Sequence, residues 1–118
     1  MRGLRILIVE DEMTIAFMME DMIVDLGHEV VEVAMRLPEA MKAAETLSFD
    51  LAILDVNLDG LRSFGVADVL SRRGIPFAFA TGYGAAGLDG GHRSELVLTK
   101  PFASDDLART IHALMERV

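Results

Sequence analysis

The sequence predicts a doubly wound α/β fold: a five-stranded parallel sheet in the order 2-1-3-4-5 with helices on both faces. Three observations predict it. Short apolar runs alternate with amphipathic stretches along all 118 residues, and right-handed crossovers leave such an alternation few topologies. The run Leu51-Ala52-Ile53-Leu54 is apolar throughout and stops on Asp55, as does a strand covered on both faces. Four of the five runs end on polar residues at the carboxyl ends, where open sheets of this kind bind ligands.

Taken in order, Leu4–Val9 is β-branched and apolar, a buried first strand that runs into Glu10-Asp11-Glu12. Met13–Leu26 reads as a helix with Ile15, Met19, Met22, Ile23 and Leu26 on its buried face, closed by Gly27 as a left-handed cap. Glu29–Ala34 is the second strand. Pro38 opens a helix to about Leu47 with Ala40, Met41, Ala44 and Leu47 along one side. The Asp55 strand follows, then a turn at Asp59-Gly60. A third helix, Phe64–Leu70, presents Phe64, Ala67 and Leu70 and ends at Arg72-Arg73-Gly74. Phe77–Ala80 is the fourth strand and stops at Thr81-Gly82. Residues 82–91 hold five of the ten glycines, so a helix there is short or mobile, each interior Gly costing about 1 kcal/mol against Ala. Glu95–Leu98 is the fifth strand, ending at Thr99-Lys100-Pro101. Ser104 caps the last helix, whose first turn carries Asp105 and Asp106 and whose core face is Leu107, Ile111 and Leu114.

The length fits a single domain with its own core. Cysteine is absent, which excludes disulfides, zinc thiolates and thiol nucleophiles and suits a reducing, cytoplasmic setting. The net charge of −8 opposes nucleic-acid phosphates, and no apolar run reaches the length of a membrane span. His28, His92 and His112 share no metal-ligand spacing and read as surface residues. No glycine-rich phosphate loop follows the first strand, which disfavours nucleotide binding.

In the proposed strand order the tips carrying Glu10, Asp11 and Glu12, Asp55, Thr81 and Lys100 converge on one crevice. Each has a plain reading alone: a solvated acidic loop, a turn Asp, a strand-ending Thr-Gly, a proline-led helix entry. Together they describe phosphoryl chemistry. Clustered carboxylates repel unless a cation neutralises them, and magnesium takes one or two carboxylates while keeping positions for water or phosphate oxygens. Lys100 adds positive charge, Thr81 a hydroxyl donor, and Asp55 is the candidate nucleophile.

These motifs give the chain a specific resemblance. Ile-Val-Glu-Asp-Glu after the first strand, Leu-Asp-Val-Asn-Leu around Asp55, Ala-Thr-Gly on the fourth strand and Thr-Lys-Pro-Phe on the fifth resemble a bacterial response-regulator receiver domain. The resemblance covers essentially the whole chain. It implies that Asp55 accepts a phosphoryl group from a histidine kinase or histidine phosphotransfer protein. It implies that Glu10, Asp11, Asp55 and the Asn57 main-chain carbonyl hold Mg2+ or Mn2+, and that Thr81 and Lys100 bind the phosphoryl oxygens. The product is a signalling switch rather than an enzyme turning over a separate substrate. The stretch from Pro76 to Gly84 is similar to a subgroup with a Phe-Ala-Thr-Gly motif, many of them single-domain regulators. With the chain stopping after its last helix, the expectation is residues 1–118 as one receiver domain without an output domain, a monomer or weak homodimer with an unknown downstream partner.

Two positions depart from the family pattern. Val97 stands where most receivers have the aromatic that moves inward when the threonine turns toward phosphate. Phe79, of the same parity as Thr81, is the candidate substitute, and Tyr83 a further switch candidate; simple core filling by Phe79 is the competing reading. Asp59 stands where many receivers have proline. The glycine-rich segment from Tyr83 to Arg93 is expected to respond most to phosphorylation. Met13, Phe17, Met18 and Val24 cannot all face the core with the rest of the first helix, and the resemblance implies docking of a phosphohistidine-bearing helical bundle there, with Met13, Phe17 and Met18 the candidate docking residues. Two other functions remain open: a receiver-like binding module that no longer uses phosphorylation, and a magnesium-dependent small-molecule phosphatase, for which only Asn57 and Tyr83 offer themselves as a general acid.

Overall fold

The computed structural model describes residues 3–82 and 96–116. Strand β1 (Arg5–Val9) leads into α1 (Met13–Asp25), β2 (Glu29–Ala34), α2 (Leu37–Thr46) and β3 (Leu51–Asp55). A small hairpin follows, β4 (Asn57–Leu58) and β5 (Leu61–Arg62), then α3 (Phe64–Arg73), β6 (Phe77–Thr81), β7 (Leu96–Thr99) and α4 (Ser104–Glu116). The five longer strands form one sheet in the order β2-β1-β3-β6-β7, every pair parallel. This is the expected 2-1-3-4-5 arrangement once the two hairpin strands take their places in the numbering.

Side chains on a strand alternate between faces, and here both faces are covered. Leu7, Val9, Ala52, Leu54, Phe77 and Phe79 pack with Ala40, Ala44, Val66, Ala67 and Leu70 of α2 and α3. Ile6, Ile8, Leu51, Ile53, Ala78, Ala80 and Leu98 pack with Met19 and Ile23 of α1 and with Leu107, Ile111 and Leu114 of α4. Continuous apolar strands follow from this two-sided burial. Small residues on α2 let it lie close to the sheet: Ala40, Ala43 and Ala44 are all buried.

The structure adjusts several expectations. Gly27 has φ +91°, the left-handed cap expected after α1, and Gly74, with φ +70°, closes α3 in the same conformation. Helix α3 runs three residues beyond Leu70. Ser104 is the first residue of α4 rather than its cap; the N–H of Ala103 just before it donates to the Asp106 carboxylate at 2.9 Å. His28 is not a plain surface residue: it is half-buried, and its Nδ1 accepts the Leu4 N–H at 3.0 Å, tying the loop after α1 to the start of β1. His112 is exposed as expected. His92, Tyr83, Glu95 and the glycine-rich stretch expected to respond to phosphorylation lie outside the described residues. No described helix is long and apolar enough to cross a membrane.

Candidate functional site

The parallel register brings the strand tips level. Val9 lies beside Leu54, Asp55 beside Ala80 and Thr81 beside Thr99, so the residues just beyond these positions share one edge. The Lys100 N–H donates to the Thr81 carbonyl at 2.9 Å, which joins the last two tips directly. The Lys100–Pro101 peptide is cis.

Lys100 is the centre of the charge arrangement. Its Nζ lies 2.7 Å from Glu10 Oε1 and 3.3 Å from Asp55 Oδ2. Glu10 is buried, 1% exposed, and its second oxygen accepts the Glu12 N–H at 3.1 Å. Burial pushes the Glu10 carboxyl up to about 7; the Lys100 hydrogen bond offsets only part of this, and the charge of Asp55 adds to it. For Lys100, burial works against the charged form, but Glu10 and Asp55 outweigh it and hold the ammonium above its ordinary range. Asp55 and Asp11 line an open crevice of about 440 Å³ together with Asn57, Arg62 and Thr81, whereas Glu10 lies beneath, under Lys100.

Oxygen atoms of Glu10, Asp11 and Asp55 all lie within 4.8 Å of one another. An all-carboxylate donor set at that spacing suits a hard divalent cation. Lys100 is the one ammonium among these three carboxylates, and one positive charge does not neutralise three negative ones.

The loop after β3 is built more tightly than the sequence reveals. Asp59 and Gly60 have φ +50° and +85°, the two positive values of a type I′ hairpin turn. Proline, locked near φ −65°, could not occupy the Asp59 position. The Asp59 N–H donates to Asp11 Oδ2 at 2.8 Å, so the hairpin tip is tied to the acidic cluster. Ser63 is fully buried. It stands at the N-cap position of α3 without capping it; its hydroxyl donates to the Asp55 carbonyl at 2.5 Å and its N–H to the Val56 carbonyl. The Asn57 N–H faces Asp55 Oδ1 at 3.3 Å. Sequence reasoning missed Ser63 and Arg62; a buried serine before a helix reads as a cap, and an arginine after a turn reads as solvated.

Of the other singled-out residues, Thr81 is 5% exposed and Phe79 fully buried. Phe79 lies in register with Val97 and edge-on to Phe64, ring centroids 5.6 Å apart. Met13, Phe17 and Met18 stand outside on α1, 57%, 56% and 38% exposed.

Fold and crevice together define a class: a doubly wound domain holding three carboxylates, a lysine and a hydroxyl at the carboxyl edge of one parallel sheet. The chain belongs to the response regulator receiver domain family, whose model matches residues 6–112. It is 37% identical over 122 residues to the transcriptional regulatory protein TcrA of Mycobacterium tuberculosis, covering 98% of this chain and 47% of that protein. The solution structure of SdrG from Sphingomonas melonis Fr1 superposes with a TM-score of 0.86 at 42% identity, covering 96% of this chain and 97% of that one. The BeF3-activated conformation of SdrG gives 0.82 at 43% identity, covering 98% and 99%. The chain spans about half the length of the curated relatives it matches. Receivers of this family serve two-component signalling and are generally signalling proteins rather than enzymes; phosphorylation and magnesium are expected of them.

Proposed function

We propose that this chain is a phosphoryl-accepting signalling switch, with Asp55 taking a phosphoryl group from the phosphohistidine of a sensor kinase or phosphotransfer protein. The observation that carries the reading is the division of labour among the carboxylates. Glu10 is buried beneath Lys100, while Asp55 opens on the crevice with Lys100 at 3.3 Å. An Asp55 oxygen attacks phosphorus as the N–P bond of the donor breaks; the imidazole keeps the electron pair and takes a proton from solvent. Lys100 and Thr81 meet the phosphoryl oxygens, a task of positioning and charge neutralisation. Glu10, Asp11, Asp55 and the Asn57 main-chain carbonyl would hold Mg2+ or Mn2+, which supplies charge neutralisation for both carboxylates and phosphoryl oxygens. The existence of a BeF3-activated SdrG supports a phosphoryl-driven change here as well. With valine at position 97, Phe79 is the residue whose packing would follow Thr81.

The test is incubation with acetyl phosphate, read by intact mass. Magnesium should bring the added mass of one phosphoryl group per chain, and chelation should prevent it. No added mass with the metal present would leave the binding-module reading; sustained release of phosphate from a generic ester would favour the phosphatase.

The exposed Met13, Phe17 and Met18 supply the docking face of this reading. Thioether and aromatic side chains adapt to an apolar partner surface. Phe17→Glu is expected to slow transfer from a phosphohistidine donor at least about tenfold, the loss from charging one apolar anchor, with acetyl phosphate labelling unchanged. Equal loss of both reactions would refute the docking role.

A further inference from the structure

The hairpin delivers a second cation to the crevice. Asn57 and Arg62 are direct partners across β4 and β5, and Arg62 lines the same cavity as Asp11, Asp55 and Thr81. Three separate contacts hold the hairpin in place. Its tip is bound to Asp11 through the Asp59 N–H. Its base is closed by Ser63 on the Asp55 and Val56 carbonyls. The guanidinium carbon of Arg62 lies 5.5 Å from the centre of the Phe64 ring, a contact that holds a planar cation through its face.

Charge gives this arginine a task. Glu10, Asp11 and Asp55 would be balanced by Lys100 together with one divalent cation. Turning the Asp55 carboxylate into an acyl phosphate exchanges a single negative charge for a phosphoryl dianion, so the crevice gains one negative charge that neither Lys100 nor the metal offsets. A guanidinium matches phosphoryl oxygens in geometry as well as in charge.

We propose that Arg62 is a phosphoryl-binding residue of this site, its guanidinium engaging the oxygens of the group carried by Asp55. This rests on the reading of Asp55 as the phosphoacceptor. It also offers a route to the core. Phe64, which Arg62 covers, packs edge-on against Phe79, two residues before Thr81, so a guanidinium drawn to phosphate changes the environment of a ring already in contact with the switch strand.

Beryllofluoride titration in saturating magnesium tests it, with magnesium affinity measured separately. Arg62→Gln is expected to weaken beryllofluoride about tenfold, the scale of one charge-assisted hydrogen bond, with magnesium binding unchanged within about twofold. Arg62→Lys, which keeps the charge but not the fork, should fall between. Wild-type beryllofluoride affinity in Arg62→Gln, alongside no binding by Asp55→Asn, overturns the role of Arg62 and leaves the phosphoacceptor standing. Equal weakening of magnesium and beryllofluoride also overturns it, since that marks a disturbed hairpin. Absence of beryllofluoride binding in the wild type overturns both readings.

Discussion

Asp55→Asn should abolish phosphoryl uptake completely and leave the fold intact. The amide keeps the shape of the carboxylate but cannot form an acyl phosphate, and neither neighbour replaces it: Glu10 is buried under Lys100, and Asp11 holds the hairpin tip. The substitution removes a repulsion from Glu10 and an attraction to Lys100 at once. These oppose each other, so stability should change by less than about 1 kcal/mol, the size of a partly exposed ion pair. Intact mass after acetyl phosphate treatment reads the first effect and urea unfolding the second. A variant that still takes up one phosphoryl group places the acceptor elsewhere.

Lys100→Met carries the second large effect, on both chemistry and stability. Its apolar stem is retained; what disappears is the ammonium between Glu10 at 2.7 Å and Asp55 at 3.3 Å. Loss of one donor aimed at developing oxyanion charge lowers the rate of labelling at least about a hundredfold. At a pH above the Glu10 titration, breaking a buried pair by removing one partner costs about 3 kcal/mol, because the remaining charge is stranded; at lower pH the carboxyl takes a proton and the cost falls. Saturating magnesium should return much of that stability by neutralising the same carboxylates. Adding Glu10→Gln should return it without metal, since no buried charge then lacks a partner. If the double variant is no more stable than Lys100→Met alone in metal-free buffer, the pair does not hold this end of the sheet together.

The Glu10–Lys100 pair also shows the reach of the sequence. Its members are 90 residues apart, and what placed them together on paper was the strand order. Alternation of apolar runs and helical stretches narrowed the topologies to a few, among which 2-1-3-4-5 was the order chosen, because a strand buried on both faces leaves an uninterrupted apolar signature. Asp55, Thr81 and Lys100 were legible for the same reason: each ends such a run. Glu10 and Asp11 were legible as a pair of acids, but not as unlike ones. Whether a carboxylate after a strand turns inward under a lysine or outward into the crevice depends on neighbours contributed by other strands.

The loop after β3 was less legible. Asp59-Gly60 announced a turn, yet the hairpin needed pairings between Asn57 and Arg62 and between Leu58 and Leu61, in strands two residues long that leave no periodic trace. The bond from Asp59 to Asp11 spans 48 positions. Ser63 illustrates the limit most plainly: the same residue type in the same place before a helix either caps it or, as here, turns its hydroxyl to the strand behind.

By itself, the sequence determined which segments become strands and helices, a short set of sheet orders that includes the observed one, and, within that order, the edge on which the acidic and basic residues collect; those are consequences of local hydrophobic period and chain connectivity. Only the tertiary structure decided that Glu10 is sealed beneath Lys100, that Asp55 stays open to the crevice, and that Arg62 reaches it across a hairpin resting on Phe64. Burial and electrostatic pairing belong to surfaces brought together from distant parts of the chain, and no single stretch of it carries that information.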